Sequence, residues 1–194
     1  MKTILTTYAV KDEYIDLKAE GFNIIPVFTG IGKTRSATIL TRHICEIKPD
    51  FVINIGTAGT LIHNVGDIFI SNHFIDRDYE VTKLPGVEYE IEGLQFVKGY
   101  ETLKNWIINY NKAGICSTGD TFVTEVSSFK ADVIDMEAYA QAFVCRSFNI
   151  PFLSIKYITD VVGQNSVQHW EDKLPDARAG LLAWVEQHRL LSMI

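Results

Sequence analysis

Three carboxylates are the residues best suited to chemistry in this chain. Glu13 stands in Lys11-Asp-Glu13, Glu137 in the run Asp135-Met-Glu-Ala-Tyr-Ala140, and Asp160 closes the run Ile150-Pro-Phe-Leu-Ser-Ile-Lys-Tyr-Ile-Thr-Asp160. Glu137 and Asp160 each follow an apolar stretch that reads as a buried strand. A carboxylate at the end of a strand, beside a crevice, is placed for ligand binding and proton transfer. Each also has a plainer reading. Glu137 could be a first-turn helix glutamate favoured by the dipole, Asp160 a cap or turn aspartate, and Glu13 a solvated helix start.

Composition narrows the classes. The chain has 194 residues, enough for a single domain spanning 1–194, and is 47% hydrophobic and 22% charged. Its net charge is −6, and it has no basic block of the kind that binds nucleic acid. Cys45, Cys116 and Cys145 lie in apolar segments without CxxC spacing and read as reduced core thiols. The start lacks a signal-peptide build, and no apolar run approaches the roughly 18 residues that span a bilayer. A cytoplasmic protein without membrane contact is expected. The histidines show no ligand spacing, so neither a metal nor a cofactor is expected. Gly30-Ile-Gly-Lys33 lacks P-loop spacing, and Lys33 reads as structural. Trp106, Trp170 and Trp184 read as core or subunit contacts.

Elements that would position the carboxylates follow from periodicity. Strands are expected at Ile4–Tyr8, Asn23–Phe28, Asp50–Ile55, Asp67–Ser71, Ala113–Ser117, Val133–Asp135 and Pro151–Ile158. Pro26 marks its strand as an edge or irregular one. Helices are expected at Lys11–Glu20, Thr34–Ile47, Leu103–Tyr110, Ala138–Phe148 and Leu174–Leu191, with Asp76–Gln95 as a long loop. Strands without strict alternation, separated by helices, predict an α/β fold: a three-layer α/β/α sandwich around a mixed, mainly parallel sheet. Ligands in such folds bind beyond the carboxyl ends of strands. Thr29-Gly30, Gly56 to Gly59, Thr118 to Phe122, Glu137 and Asp160 all converge there.

Six ordered stretches together resemble the nucleoside phosphorylase family, and most closely its hydrolytic methylthioadenosine/S-adenosylhomocysteine nucleosidase branch. They are Thr29-Gly-Ile-Gly-Lys33, Ile53-Asn-Ile-Gly-Thr-Ala-Gly59, Val65-Gly-Asp-Ile-Phe-Ile-Ser71, Ser117-Thr-Gly-Asp-Thr-Phe122, Asp135-Met-Glu-Ala-Tyr-Ala140 and the run ending at Asp160. The resemblance implies cleavage of an N-glycosidic bond, with a ribosyl group of oxocarbenium character and an anionic purine leaving group. By the same resemblance Asp160 is the general acid to the purine, with its pKa expected to be raised by a semi-buried site. Glu13 activates the attacking water, and Thr57 and Lys156 line the water pocket. Glu137 accepts both ribose hydroxyls, Met136 packs beneath the sugar, Phe122 stacks on the purine, and the backbone of Val123 reads its edge. Ala58, Gly59 and Thr159 belong to the same substrate site.

Relatives that use phosphate carry arginines at places held here by Tyr8, Ala9 and Asn54, so water is the expected nucleophile. Phosphorolysis stays as an alternative, with Arg35 and Lys156 as its contacts. So do other purine nucleosides (futalosine, inosine, adenosine) and a non-catalytic nucleoside-binding protein. The resemblance also implies a homodimer, with Asp76–Gln95 and Leu61-Ile62 as contact candidates.

Overall fold

The structure, a computed structural model, describes residues 1–125, 130–164 and 166–194. Strands β1 (Lys2–Tyr8), β2 (Phe22–Phe28), β3 (Phe51–Thr60), β4 (Ile68–Asp76), β5 (Glu90–Glu92), β6 (Ala113–Thr118), β7 (Val133–Asp135) and β8 (Phe152–Val161) form one mixed sheet. Parallel pairing joins β2 to β1, β1 to β3, β3 to β8, β4 to β6 and β6 to β7; antiparallel pairing joins β8 to β4, β5 to β4, and the last residues of β3 to β7. Pro26 lies in β2, which pairs on one side only, so its missing N–H breaks no ladder.

Two helical layers cover the sheet. On one face α3 (Glu101–Asn109) and α5 (Ser166–Gln187) bury Leu103, Ile107, Leu181 and Trp184 against Ile53, Ile55, Ile155 and Tyr157. On the other, α1 (Lys33–Ile47) and α4 (Ala138–Ser147) bury Leu40, Ile44, Ala142 and Cys145 against Val52, Phe152 and Ile158. Strands buried on both faces need apolar residues at consecutive positions, which explains the runs in β3 and β8. α1 ends where Lys48 turns left-handed at φ 51°, one residue before Pro49.

Several expectations need correction. Lys11–Glu20 is not a helix: a 3₁₀ turn covers Lys11–Glu13, and the chain then crosses the core, burying Ile15 and Leu17. The apolar spacing there records burial rather than helical period. Asp76–Gln95 is not one loop; it holds the short helix α2 (Arg77–Thr82), β5 and the start of a 3₁₀ segment, Gly93–Val97. Gly56 to Gly59 does not close β3 but lies within it, and Asp160 lies within β8 rather than after it. Cys45 is exposed, unlike the buried Cys116 and Cys145. Among the described residues no helix is long and apolar enough to cross a membrane.

Candidate active site

Glu13 ends its 3₁₀ turn beneath the carboxyl end of β1 and is buried. Its Oε1 accepts from the Thr57 N–H at 2.8 Å and the Thr57 hydroxyl at 2.7 Å. Its Oε2 accepts from the Ala9 and Val10 amides at 3.2 and 3.4 Å. Gly56 leaves room for this arrangement: a Cβ there would stand 3.1 Å from Glu13 Oε1.

Asp160 is aimed by a bulge. β3 and β8 pair in step from Val52–Phe152 to Ala58–Ile158, and then Gly59 pairs with Asp160. Thr159 is the extra residue. Had Thr159 kept the register and paired with Gly59, alternation would carry Asp160 to the face of Phe152 and Ile158, towards α1 and α4. The bulge moves it to the face of Thr57, where α5 packs. Gly59 lacks a side chain at the contact, and a Cβ there would stand 3.0 Å from Asp160 Oδ2. The Thr159 hydroxyl donates to Asp160 Oδ1 at 2.8 Å.

Glu137 stands at the N-cap position of α4, and its side chain reaches the N-terminus of α1, where the Gly32 N–H donates to its Oε1 at 3.0 Å. Gly32 is at φ 95°, which a glycine adopts without strain. Burial pushes the Glu137 pKa up to about 8, and the nearby Asp135 charge pushes the same way; Lys156 and the Gly32 amide oppose both. Asp135 lies deeper. It accepts from the Thr118 hydroxyl at 2.6 Å and the Ala138 N–H at 2.8 Å, and forms a buried ion pair with Lys156 at 2.8 Å. Burial alone would raise the Asp135 pKa, but the Lys156 charge holds it below the ordinary carboxylate range. Burial correspondingly lowers the Lys156 pKa, but Asp135 and Glu137 raise it further and keep the ammonium charged.

These groups surround a cavity of about 310 Å³ lined by Glu13, Thr57, Ala58, Gly59, Phe122, Val123, Met136, Glu137, Asp160 and Trp170, with Ala9, Ile31, Thr121, Ile134, Asp135 and Val162 completing the wall. Phe122 stands at the mouth, 37% exposed, edge-on to Trp170 with centroids 6.4 Å apart. Buried Arg77 ties down the loop before Phe122 by donating to the Ser117 and Thr121 carbonyls at 2.8 and 2.9 Å.

Most sequence-nominated residues therefore meet in one hollow. Two do not line it: Thr159 stands behind Asp160, and Lys156 stands beneath the floor, paired with Asp135. Lys33 pairs with Asp76 and Asp78, at 2.8 and 2.7 Å. Arg35 is exposed and packs along Gly30. Trp170 lines the cavity, and its Nε1–H donates to Thr57 Oγ1 at 2.9 Å; expecting it in the core or at a subunit contact missed this role. Its place ten residues after Asp160, at the start of the last helix, was the available signal. Asp135 and Arg77 were missed as supports because a lone Asp at a strand end and a lone Arg in a polar stretch carry no pattern.

A model of the phosphorylase superfamily matches residues 9–183. A Bacillus velezensis protein named 5'-methylthioadenosine/S-adenosylhomocysteine nucleosidase is 33% identical over 175 residues, covering 76% of this chain and 72% of its own length. A Bacillus subtilis protein of the same name is 31% identical over 199 residues, covering 85% and 80%. Among solved structures, a Helicobacter pylori 5'-methylthioadenosine/S-adenosylhomocysteine nucleosidase with butyl-thio-DADMe-Immucillin-A superposes with TM-score 0.77 at 21% identity, over 96% of this chain and 99% of that one. Futalosine hydrolase of Helicobacter pylori superposes equally, with TM-score 0.77 at 21% identity over 96% and 98%. Both structures share the fold, and fold alone does not choose between their substrates.

Proposed function

The chain belongs to the phosphorylase superfamily, and we propose that within it this protein is a purine nucleoside N-ribosyl hydrolase that releases adenine from 5'-methylthioadenosine or S-adenosylhomocysteine-type nucleosides. The observation that carries this reading is a single cavity holding Glu13, Glu137 and Asp160, into which no lysine or arginine among the described residues opens. The names of the relatives at 31–33% identity support the substrate class.

In this reading the purine lies against Phe122 with its edge along Val123, and the ribose rests over Met136. Glu137 accepts hydrogen bonds from both ribose hydroxyls. Asp160 gives a proton to purine N7 as the C1'–N9 bond breaks and its electron pair enters the ring. Glu13 takes a proton from water as the new C1'–O bond forms. The products are adenine and the 5-substituted ribose. Two carboxyl groups in different surroundings thus divide acid and base work, as in other glycoside hydrolysis.

Water is favoured over phosphate on electrostatic grounds. An incoming phosphate needs cationic donors beside the ribose. Lys156 is consumed by Asp135, and Arg35 points its stem along Gly30 outside the cavity. The same reading includes a homodimer, for which exposed Ile62 is a contact candidate; light scattering at micromolar concentration tests it, and a monomer rules it out. A panel of 5'-substituted adenosines, futalosine and inosine, with and without phosphate, tests the function. Adenine release independent of phosphate supports it; strict phosphate dependence, or release from futalosine alone, overturns it.

A further inference from the structure

Trp170, Thr57 and Glu13 form a chain of hydrogen bonds with a fixed direction. The Trp170 Nε1–H lies 2.9 Å from Thr57 Oγ1, and that oxygen lies 2.7 Å from Glu13 Oε1. An indole nitrogen is a donor only. Thr57 Oγ1 must therefore accept from Trp170, and its single hydrogen points to Glu13. A hydroxyl that would otherwise rotate is locked in one orientation. The Thr57 N–H reaches the same carboxylate oxygen at 2.8 Å, so Oε1 takes two short bonds. Oε2 takes two longer ones, from the Ala9 and Val10 amides at 3.2 and 3.4 Å. Oε1 is the anchored oxygen, and Oε2 keeps the larger unused capacity to accept from water.

We propose that Trp170 is a positioning residue for water activation, locking the Thr57 hydroxyl onto Glu13 Oε1 so that Oε2 is presented to the attacking water. The inference rests on the hydrolytic reading above. It also gives α5 a part in the site, because Trp170 is carried on the first turns of that helix. A phenylalanine at this place would fill similar space and keep an edge-on contact with Phe122, 6.4 Å between centroids, but would lack the N–H.

The test is a cycle of Trp170→Phe, Thr57→Val and the double variant, assayed for adenine release from methylthioadenosine. Trp170→Phe is expected to lower kcat by about three- to tenfold, the worth of one neutral hydrogen bond, with KM within about twofold. In the Thr57→Val background the same change should cost nothing further, whereas in Thr57→Ser, which keeps the hydroxyl, it should cost its full amount. Losses that multiply in the double variant, or a loss in KM alone, would overturn the proposal. The Trp170 indole N–H resonance gives a second reading independent of turnover: it should move in Thr57→Val and stay in Thr57→Ser. Wild-type protein that hydrolyses no nucleoside would defeat the hydrolytic reading itself. Active wild type with an equally active Trp170→Phe would defeat the positioning role alone.

Discussion

Gly59 and Asp160 are register partners across β3 and β8, one residue out of step with every pair before them. The extra residue, Thr159, turns Asp160 towards the cavity, and Gly59 leaves the space its carboxylate enters. The position of the proposed acid is thus set by backbone geometry on one strand and a missing side chain on the next.

Gly59→Ala tests this relationship. The added Cβ would stand 3.0 Å from Asp160 Oδ2, so the carboxylate must shift by a few tenths of an ångström. Adenine release should fall about tenfold or more, because small misplacements of reacting groups are costly. The melting temperature should change little, since the obstructed atom ends a side chain. Undiminished turnover would mean that the acid tolerates displacement.

Glu137 makes stability depend on pH. Its folded pKa of about 8 lies above the ordinary 4.5, so the folded protein keeps a proton that the unfolded chain releases. The resulting stabilisation is present below about 4.5 and is lost as pH rises towards about 8. Glu137→Gln removes this dependence. Thermal melts should show the variant gaining stability relative to wild type between pH 5 and pH 8; parallel curves would contradict the assignment.

Ligand binding should release that proton. In the proposed binding mode a ribose diol donates hydrogen bonds to Glu137, which would favour its charged form. Calorimetry of a non-hydrolysable adenosine analogue near pH 7, in buffers of different ionisation enthalpy, should show release of up to about one proton. Release should vanish in Glu137→Gln.

Lys156 is expected to serve stability before chemistry. Lys156→Met would leave Asp135 charged and buried, supported by the Thr118 hydroxyl and the Ala138 amide but without its counter-ion. Removing one partner of a buried pair costs about 3–5 kcal/mol. Urea unfolding should report a loss of that order, and a neutral result would show that Asp135 takes up a proton instead.

Much of this architecture was legible because burial writes itself into composition. The apolar runs of Phe51–Ile55 and Pro151–Ile158 announce strands covered on both faces, and Pro49 announces the stop of α1. What escaped was local geometry. Tyr14 and Leu17 imitate helical spacing because the chain there is pinned to the core, with the Tyr8 hydroxyl bonded to the Ile15 carbonyl at 3.1 Å. α2 has six residues, too few to show a period. The bulge at Thr159 leaves no mark, since Ile-Thr-Asp reads the same with or without a slipped register. Trp170 resembles any core tryptophan until its N–H is seen on Thr57. Gathering Glu13 and Asp160 from opposite ends of the chain is a property of the β1–β3–β8 pairing, which no local window contains.

The central claim is that Asp160 protonates the departing purine. The most direct measurement is steady-state adenine release from methylthioadenosine in phosphate-free buffer, by wild type and by Asp160→Asn, with melting temperatures recorded alongside. The predicted result is turnover by the wild type and a loss of about 10²–10⁴-fold in the variant, in the range of general acid catalysis, with the fold intact. Equal turnover by a folded Asp160→Asn protein would contradict it.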